Sequence, residues 1–142
     1  MGLEQNVETG LRDAFNSAFT TAGLTLPTYR RFWSDDEAGA DDEKHVMPFV
    51  GIVAHPGIPT GVQSIFRGVP VDVLFATQVS DDPKRDILRA IYEAARDTLD
   101  EGAITLSGAS VTGIEIEDGE CGIEGNMQTV SLRLTVNVCG AE

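Results

Sequence analysis

Gln128-Thr129-Val130-Ser131-Leu132-Arg133-Leu134-Thr135-Val136-Asn137-Val138 decides the fold, because apolar and polar residues alternate through it without a break. Side chains on a strand point to alternate sides, so Val130, Leu132, Leu134, Val136 and Val138 share one face. Thr129, Ser131, Arg133, Thr135 and Asn137 share the other. The pattern predicts a sheet with one buried face and one face turned to water or a partner. A sheet of that kind needs a second layer over its apolar side.

Two amphipathic helices supply that layer. Leu3, Val7, Leu11, Phe15 and Phe19 recur every four residues, with Ala14, Ala18 and Ala22 beside them. This spacing predicts a helix from Leu3 to Ala22, ended by Gly23. Gly10 interrupts it, and a glycine there weakens the first turns by about 1 kcal/mol relative to alanine. The second helix follows Asp82-Pro83, read as a capping carboxylate before a proline at the first helical position. Its stripe is Ile87, Leu88, Ile91, Ala95 and Leu99, and Gly102 closes it.

Between the helices, Tyr29 to Trp33, Val46 to Ala54 and Val62 to Val79 read as strands, the last as one long strand or two short ones. In the last, Val69, Val71, Val73 and Phe75 share a face. Pro70 cannot donate to a ladder, so an edge or bulge is expected near it. After the second helix, Ala103 to Leu106 and Val111 to Glu117 are weaker strands. Asp118-Gly119, Gly122 and Gly125-Asn126 read as turn chemistry leading into the final strand. The order is α-β-β-β-α-β-β-β, an α+β class, expected as a single domain over residues 1–142.

Length and charge narrow the function classes. A chain of 142 residues can bury a core without disulfides or metals. The net charge of −13 repels phosphate backbones and argues against groove-type binding of nucleic acid. The amino terminus lacks a basic, then apolar, secretory pattern, and no apolar run reaches the ~20 residues of a membrane span. The chain therefore reads as cytosolic, where Cys121 and Cys139 stay reduced and serve as small buried hydrophobes. They can form a disulfide only if their strands pair.

No catalytic or metal motif stands out. His45 and His55 fall at opposite ends of one strand, too far apart to share zinc, and read as solvated loop residues. Asp35, Asp36, Glu37, Asp41, Asp42 and Glu43 form an acidic loop that misses the calcium-loop pattern and reads as a solvated charge run. Gly119-x-x-Gly122-x-x-Gly125 lacks the Lys-Ser/Thr of a phosphate loop and precedes a strand, so it reads as a flexible hairpin loop. No serine sits in a nucleophile elbow. A pair of carboxylates acting as acid and base stays open, since among 23 acidic residues any two can meet in space. Arg30, Arg31 and Trp33 form a basic-aromatic group of the kind enriched at interface hot spots. They read equally well as a core tryptophan with paired surface arginines.

This series of elements, from Leu3 to Val138, resembles the tail terminator (tail completion) proteins of long-tailed bacteriophages, the lambdoid minor tail protein U type. The resemblance rests on order and size. It implies a mixed, mostly antiparallel sheet with both helices on one face, and six copies closing into a ring. Such a ring caps the tail tube, ends its polymerisation and joins the tail to the head–tail connector protein. It further implies partners in the tube protein and connector, DNA passing through unbound, no membrane, no cofactor, no metal and no enzyme activity. The place implied is the virion tail neck, assembled in the bacterial host cytoplasm. On this reading Arg30, Arg31 and Trp33 touch a neighbour or the tube, and the acidic loop borders the lumen. The stretch Gly119 to Met127 departs from the compact members. A rival reading is an acidic adaptor or DNA-mimic inhibitor; it needs carboxylates spaced along one face, whereas these cluster in Asp35–Glu43 and Glu115–Glu124.

Overall fold

The computed structural model describes residues 3–24, 26–30, 48–55, 58–59, 66–80, 82–101, 104–106 and 110–139. Helix α1 spans Leu3–Thr21, and strands β1 Thr28–Arg30, β2 Phe49–Ala54, β3 Ile58–Pro59 and β4 Phe66–Gln78 follow. Helix α2, Asp86–Glu101, precedes strands β5 Ser110–Glu124 and β6 Met127–Cys139. The strands make one six-stranded sheet in the order β1-β2-β4-β6-β5, with β3 beside β4. Among the described residues only β1 and β2 run parallel, and every other pairing is antiparallel. The protein is thus α+β, with a mostly antiparallel mixed sheet and both helices on one face. Val62–Val79 resolves into β4 alone within the described residues, and Ala103–Leu106 contributes only a bridge at Leu106.

The core lies between the helices and the sheet. Leu132, Leu134, Val136 and Val138 of β6 are buried with Val69, Val71, Val73 and Phe75 of β4. Against them pack Val7, Leu11, Phe15 and Phe19 of α1 and Leu88, Ile91, Ala95 and Leu99 of α2. Phe75 is the hub: its ring centroid lies 6.1 Å from Phe15 and 5.7 Å, edge-on, from Tyr92. Offset and edge-on rings of this spacing are favourable beyond the area they bury. Ile87, counted in the second helix's stripe by sequence, is 45% exposed, because the positions that face the sheet are 88, 91, 95 and 99.

Gly10 does not loosen α1. It is buried, and a Cβ there would lie 2.7 Å from Leu106 Cδ2 and 3.0 Å from the Thr105 carbonyl oxygen. The segment 104–106 crosses the helix at that point, so the helix-propensity cost is exchanged for close packing. Pro70 is likewise not on an edge strand, since β4 has β6 on one side and β2 and β3 on the other. Its carbonyl accepts from His55 N at 2.8 Å, which sets its backbone toward the β2 side. There β2 ends at Ala54 and β3 begins at Ile58, so the missing N–H falls in the gap between the two.

Helix α2 starts later than its proline. Pro83 lies in the preceding turn, where Arg85 N donates to the Asp82 carbonyl and Arg85 takes a φ of 61°. Asp82 still caps the helix: its carboxylate accepts from Ile87 N at 3.0 Å and Leu88 N at 2.9 Å. The stretch Gly119–Glu124 is strand, not loop. β5 continues through it with a bulge between Asp118 and Cys121, and reaches β6 by a two-residue Gly125-Asn126 turn. Gly125 has a φ of 61° and Asn126 does not share it, the signature of a II′ hairpin turn. Cys121 is exposed and Cys139 half-buried; both are free, at opposite ends of the β5–β6 hairpin.

Candidate interaction face

The sheet face away from the helices holds the described residues best placed to meet something else. Strand alternation puts Val53, Asp72, Arg133 and Glu117 in one row, on β2, β4, β6 and β5 in turn. Asp72 Oδ2 lies 2.9 Å from His55 Nε2, and its Oδ1 accepts from Arg133 Nε at 3.1 Å. Burial alone would push the Asp72 carboxyl up, but the hydrogen bonds and charges of His55 and Arg133 outweigh it and hold it below its ordinary value. The ionised form is the one that accepts two donors at once. His55 thus closes the end of β2 onto β4, and Arg133 joins β4 to β6.

Beside this row lies an open groove of about 500 Å³, bordered by Asp72, Leu74, Glu117, Glu120, Ser131 and Arg133. Its shape comes from the β5 bulge. Ser131 Oγ accepts from Glu120 N at 3.0 Å and donates to the Glu120 carbonyl at 3.3 Å. The extra residue is Gly119, where a Cβ would stand 2.3 Å from the Ser131 carbonyl oxygen. Only glycine fits that approach. The bulge turns β5 away from β6 and leaves Glu117 and Glu120 exposed along the groove. The opposite end of this face is dry, with Phe49 paired to Ala76 and both fully buried.

Among the described residues no group of three His, Cys, Asp or Glu is placed to hold a metal ion. A second concavity, about 350 Å³, runs between the helices past Ala14, Ala18, Ala22, Ala94 and Thr98 and contains no histidine or cysteine. Among the described residues the enclosed Tyr29 hydroxyl has no hydrogen-bond partner, and burial pushes its phenol well above the ordinary value.

Of the residues singled out from sequence, Arg30 ends β1 at the sheet's edge. Arg31, Trp33, Asp35, Asp36, Glu37, Asp41, Asp42, Glu43 and His45 lie outside the described residues. Sequence reading missed the His55–Asp72–Arg133 chain. Its one visible signal was polarity at Asp72 and Arg133 on the non-core positions of alternating strands; that the two meet depends on register.

No helix among the described residues is long and apolar enough to cross a membrane. No protein-family model matches the chain, and no curated protein does. A crystal structure of a core domain from Akkermansia muciniphila aligns over 97% of this chain and 86% of that one, at 13% identity and a TM-score of 0.33. A likeness at that level carries no argument about fold family or function.

Proposed function

We propose that this chain is a bacteriophage tail terminator: a structural protein, acting by binding and not by catalysis, whose copies close into a ring at the end of the tail tube. The ring stops tube growth and offers its other surface to the head–tail connector, in the virion's tail neck. The observation that carries the reading is the two-layer build. Among the described residues both helices take one sheet face, and the charged row and groove of the other face, with the long edge strand β5, stay open to neighbours. A cap needs one surface complementary to the tube and another that refuses a further tube ring, and such a difference of surfaces needs no chemistry. A net charge of −13 suits a passage that DNA must cross without adhering.

The DNA-mimic alternative has less support. Such a decoy presents an unbroken run of carboxylates, whereas the row across this sheet sets His55 and Arg133 on either side of Asp72. The test is genetic. Phage lacking the gene for this chain should assemble tails of irregular, extended length, scored by electron microscopy. Uniform tails of normal length in its absence would reject the function.

A further inference from the structure

From the two edges of the sheet we infer how neighbouring copies join: β1 of one copy adds to β5 of the next, extending one sheet from subunit to subunit. The inference rests on the ring reading above and names its interface. Among the described residues β5 pairs only with β6, and β1 only with β2, so each presents an unpaired outer side. Edge strands left open are templates for a further strand.

Strand direction agrees. From β1 to β5 the pairings run parallel, antiparallel, antiparallel and antiparallel, so β1 and β5 point in opposite directions. A second copy related by a simple ring rotation therefore brings its β1 antiparallel to β5 and keeps its helices on the same side. Such a head-to-tail contact joins two different surfaces, and a closed ring follows when the rotation closes.

The backbone hydrogen-bonding phase selects a register. The Pro70 carbonyl faces β2, so even-numbered residues of β4 bond toward β2 and odd-numbered ones toward β6. Carried through the pairings, Glu115 and Glu117 bond inward to Thr135 and Arg133, while Ile114 and Ile116 turn their N–H and C=O groups to the open edge. On the other edge, the parallel register of β1 leaves Tyr29 as the residue with outward backbone groups. Pairing Tyr29 with Ile116 of the next copy sets Arg30 opposite Glu115 and Thr28 opposite Glu117. It also aligns Tyr29 and Ile116, both half-buried against the helix-side core, in one apolar layer.

Charge favours this partner over the alternatives. Pairing β5 with another β5 would bring Glu115, Glu117 and Glu120 against their own copies, and like charges across strands are destabilising. Pairing it with β1 brings Arg30 to a strand whose Glu115 and Glu117 are exposed. Among the described residues Glu115 accepts from Asn137 Nδ2 at 2.9 Å.

The test uses the full chain with Cys121 and Cys139 replaced by serine. Thr28 and Glu117 would form a non-hydrogen-bonded pair with Cα atoms about 4.5 Å apart, within disulfide range. Oxidising Thr28→Cys/Glu117→Cys should give a ladder of covalent multimers on denaturing gels, whereas each single variant should stop at dimers. By light scattering on the native-cysteine chain, Arg30→Glu or Glu115→Arg should each weaken self-association about tenfold. The double swap should restore it, with circular dichroism confirming that every variant is folded. Multimers that form in solution, ignore these charge reversals and give no ladder would overturn the inference while leaving a ring closed by another surface. A chain that stays monomeric to millimolar concentration and gives no ladder would also overturn it, and tail length in the gene deletion would still judge the function separately.

Discussion

Gly119 and Ser131 fit closely across the β5 bulge. Since a Cβ at 119 would overlap the Ser131 backbone, Gly119→Ala has to displace β6 or flatten the bulge. Forced overpacking of this kind costs about 1–3 kcal/mol, to be read from urea midpoints. Gly113 meets nothing within 4 Å, and Gly113→Ala should stay within about half a kilocalorie of the parent. Asp72 provides a pH-dependent counterpart. Its folded carboxyl sits below its ordinary value, so the stability it lends is complete above about pH 4 and is lost as pH falls through the lower, folded value. Asp72 is 36% exposed, so the gain is that of a screened surface pair, under about 1 kcal/mol. Asp72→Asn should therefore lower stability slightly at pH 7 and reduce the loss on acidification. An unchanged acid limb in pH-resolved melts would mean the two donors do not hold the carboxylate. Neither site was legible in sequence. A glycine that admits a neighbouring strand looks like any turn glycine, and a cross-strand ion pair depends on register, which alternation alone leaves open.

At the scale of elements, sequence reading did best where one period ran unbroken. The alternation of β6 and the four-residue repeat of α1 predicted faces that are now found buried in one core, with Phe15 against Phe75 and Leu132 and Leu134 in the same cluster. Leu134→Ala should accordingly cost about 2–5 kcal/mol, and a loss below about half a kilocalorie would deny that this face is core. It did worst where one residue served tertiary structure. Gln128 occupies a core-facing position of β6 and is 2% exposed, since its amide donates to the Asp82 carbonyl at 2.6 Å and Thr77 Oγ1 at 3.0 Å. Its own Oε1 accepts from Arg85 Nε at 3.2 Å. The α2 cap is thus part of a buried polar cluster joining β4, α2 and β6, not a local feature of Asp82-Pro83. Asp82→Ala should remove the cap, worth about 0.5–2 kcal/mol, and also strip the buried Thr77 hydroxyl of its carboxylate acceptor at a further 1–3 kcal/mol or so, while the Gln128 amide keeps the backbone carbonyl of residue 82. Gln128→Leu should cost less than Asp82→Ala, because it leaves the capping bonds to Ile87 and Leu88 in place. Equal losses for the two in thermal melts would show that the cap contributes little.

For the whole molecule, the same asymmetry recurs at each level. One face of the sheet is sealed by α1 and α2, and the other carries a charged row, a groove and a dry corner at Phe49. Among the described residues, one edge strand is Thr28–Arg30; the other is Ser110–Glu124 and carries exposed glutamates. A molecule with unlike edges and unlike faces is suited to joining copies of itself in one direction while meeting different partners above and below. This is the demand placed on a cap, and it is why we read the chain as a terminator. Replacing Arg30, Arg31 and Trp33 together should leave a folded protein that no longer sets tail length; uniform tails from phage carrying that variant would remove the group from the account. The most direct test of the central claim is a reconstitution in which purified tube protein polymerises with increasing amounts of this chain, with tube lengths measured by electron microscopy. Mean length should fall as the chain is added, and the chain should be found at one tube end. Tubes of unchanged length, with the chain absent from their ends at saturating amounts, would contradict it.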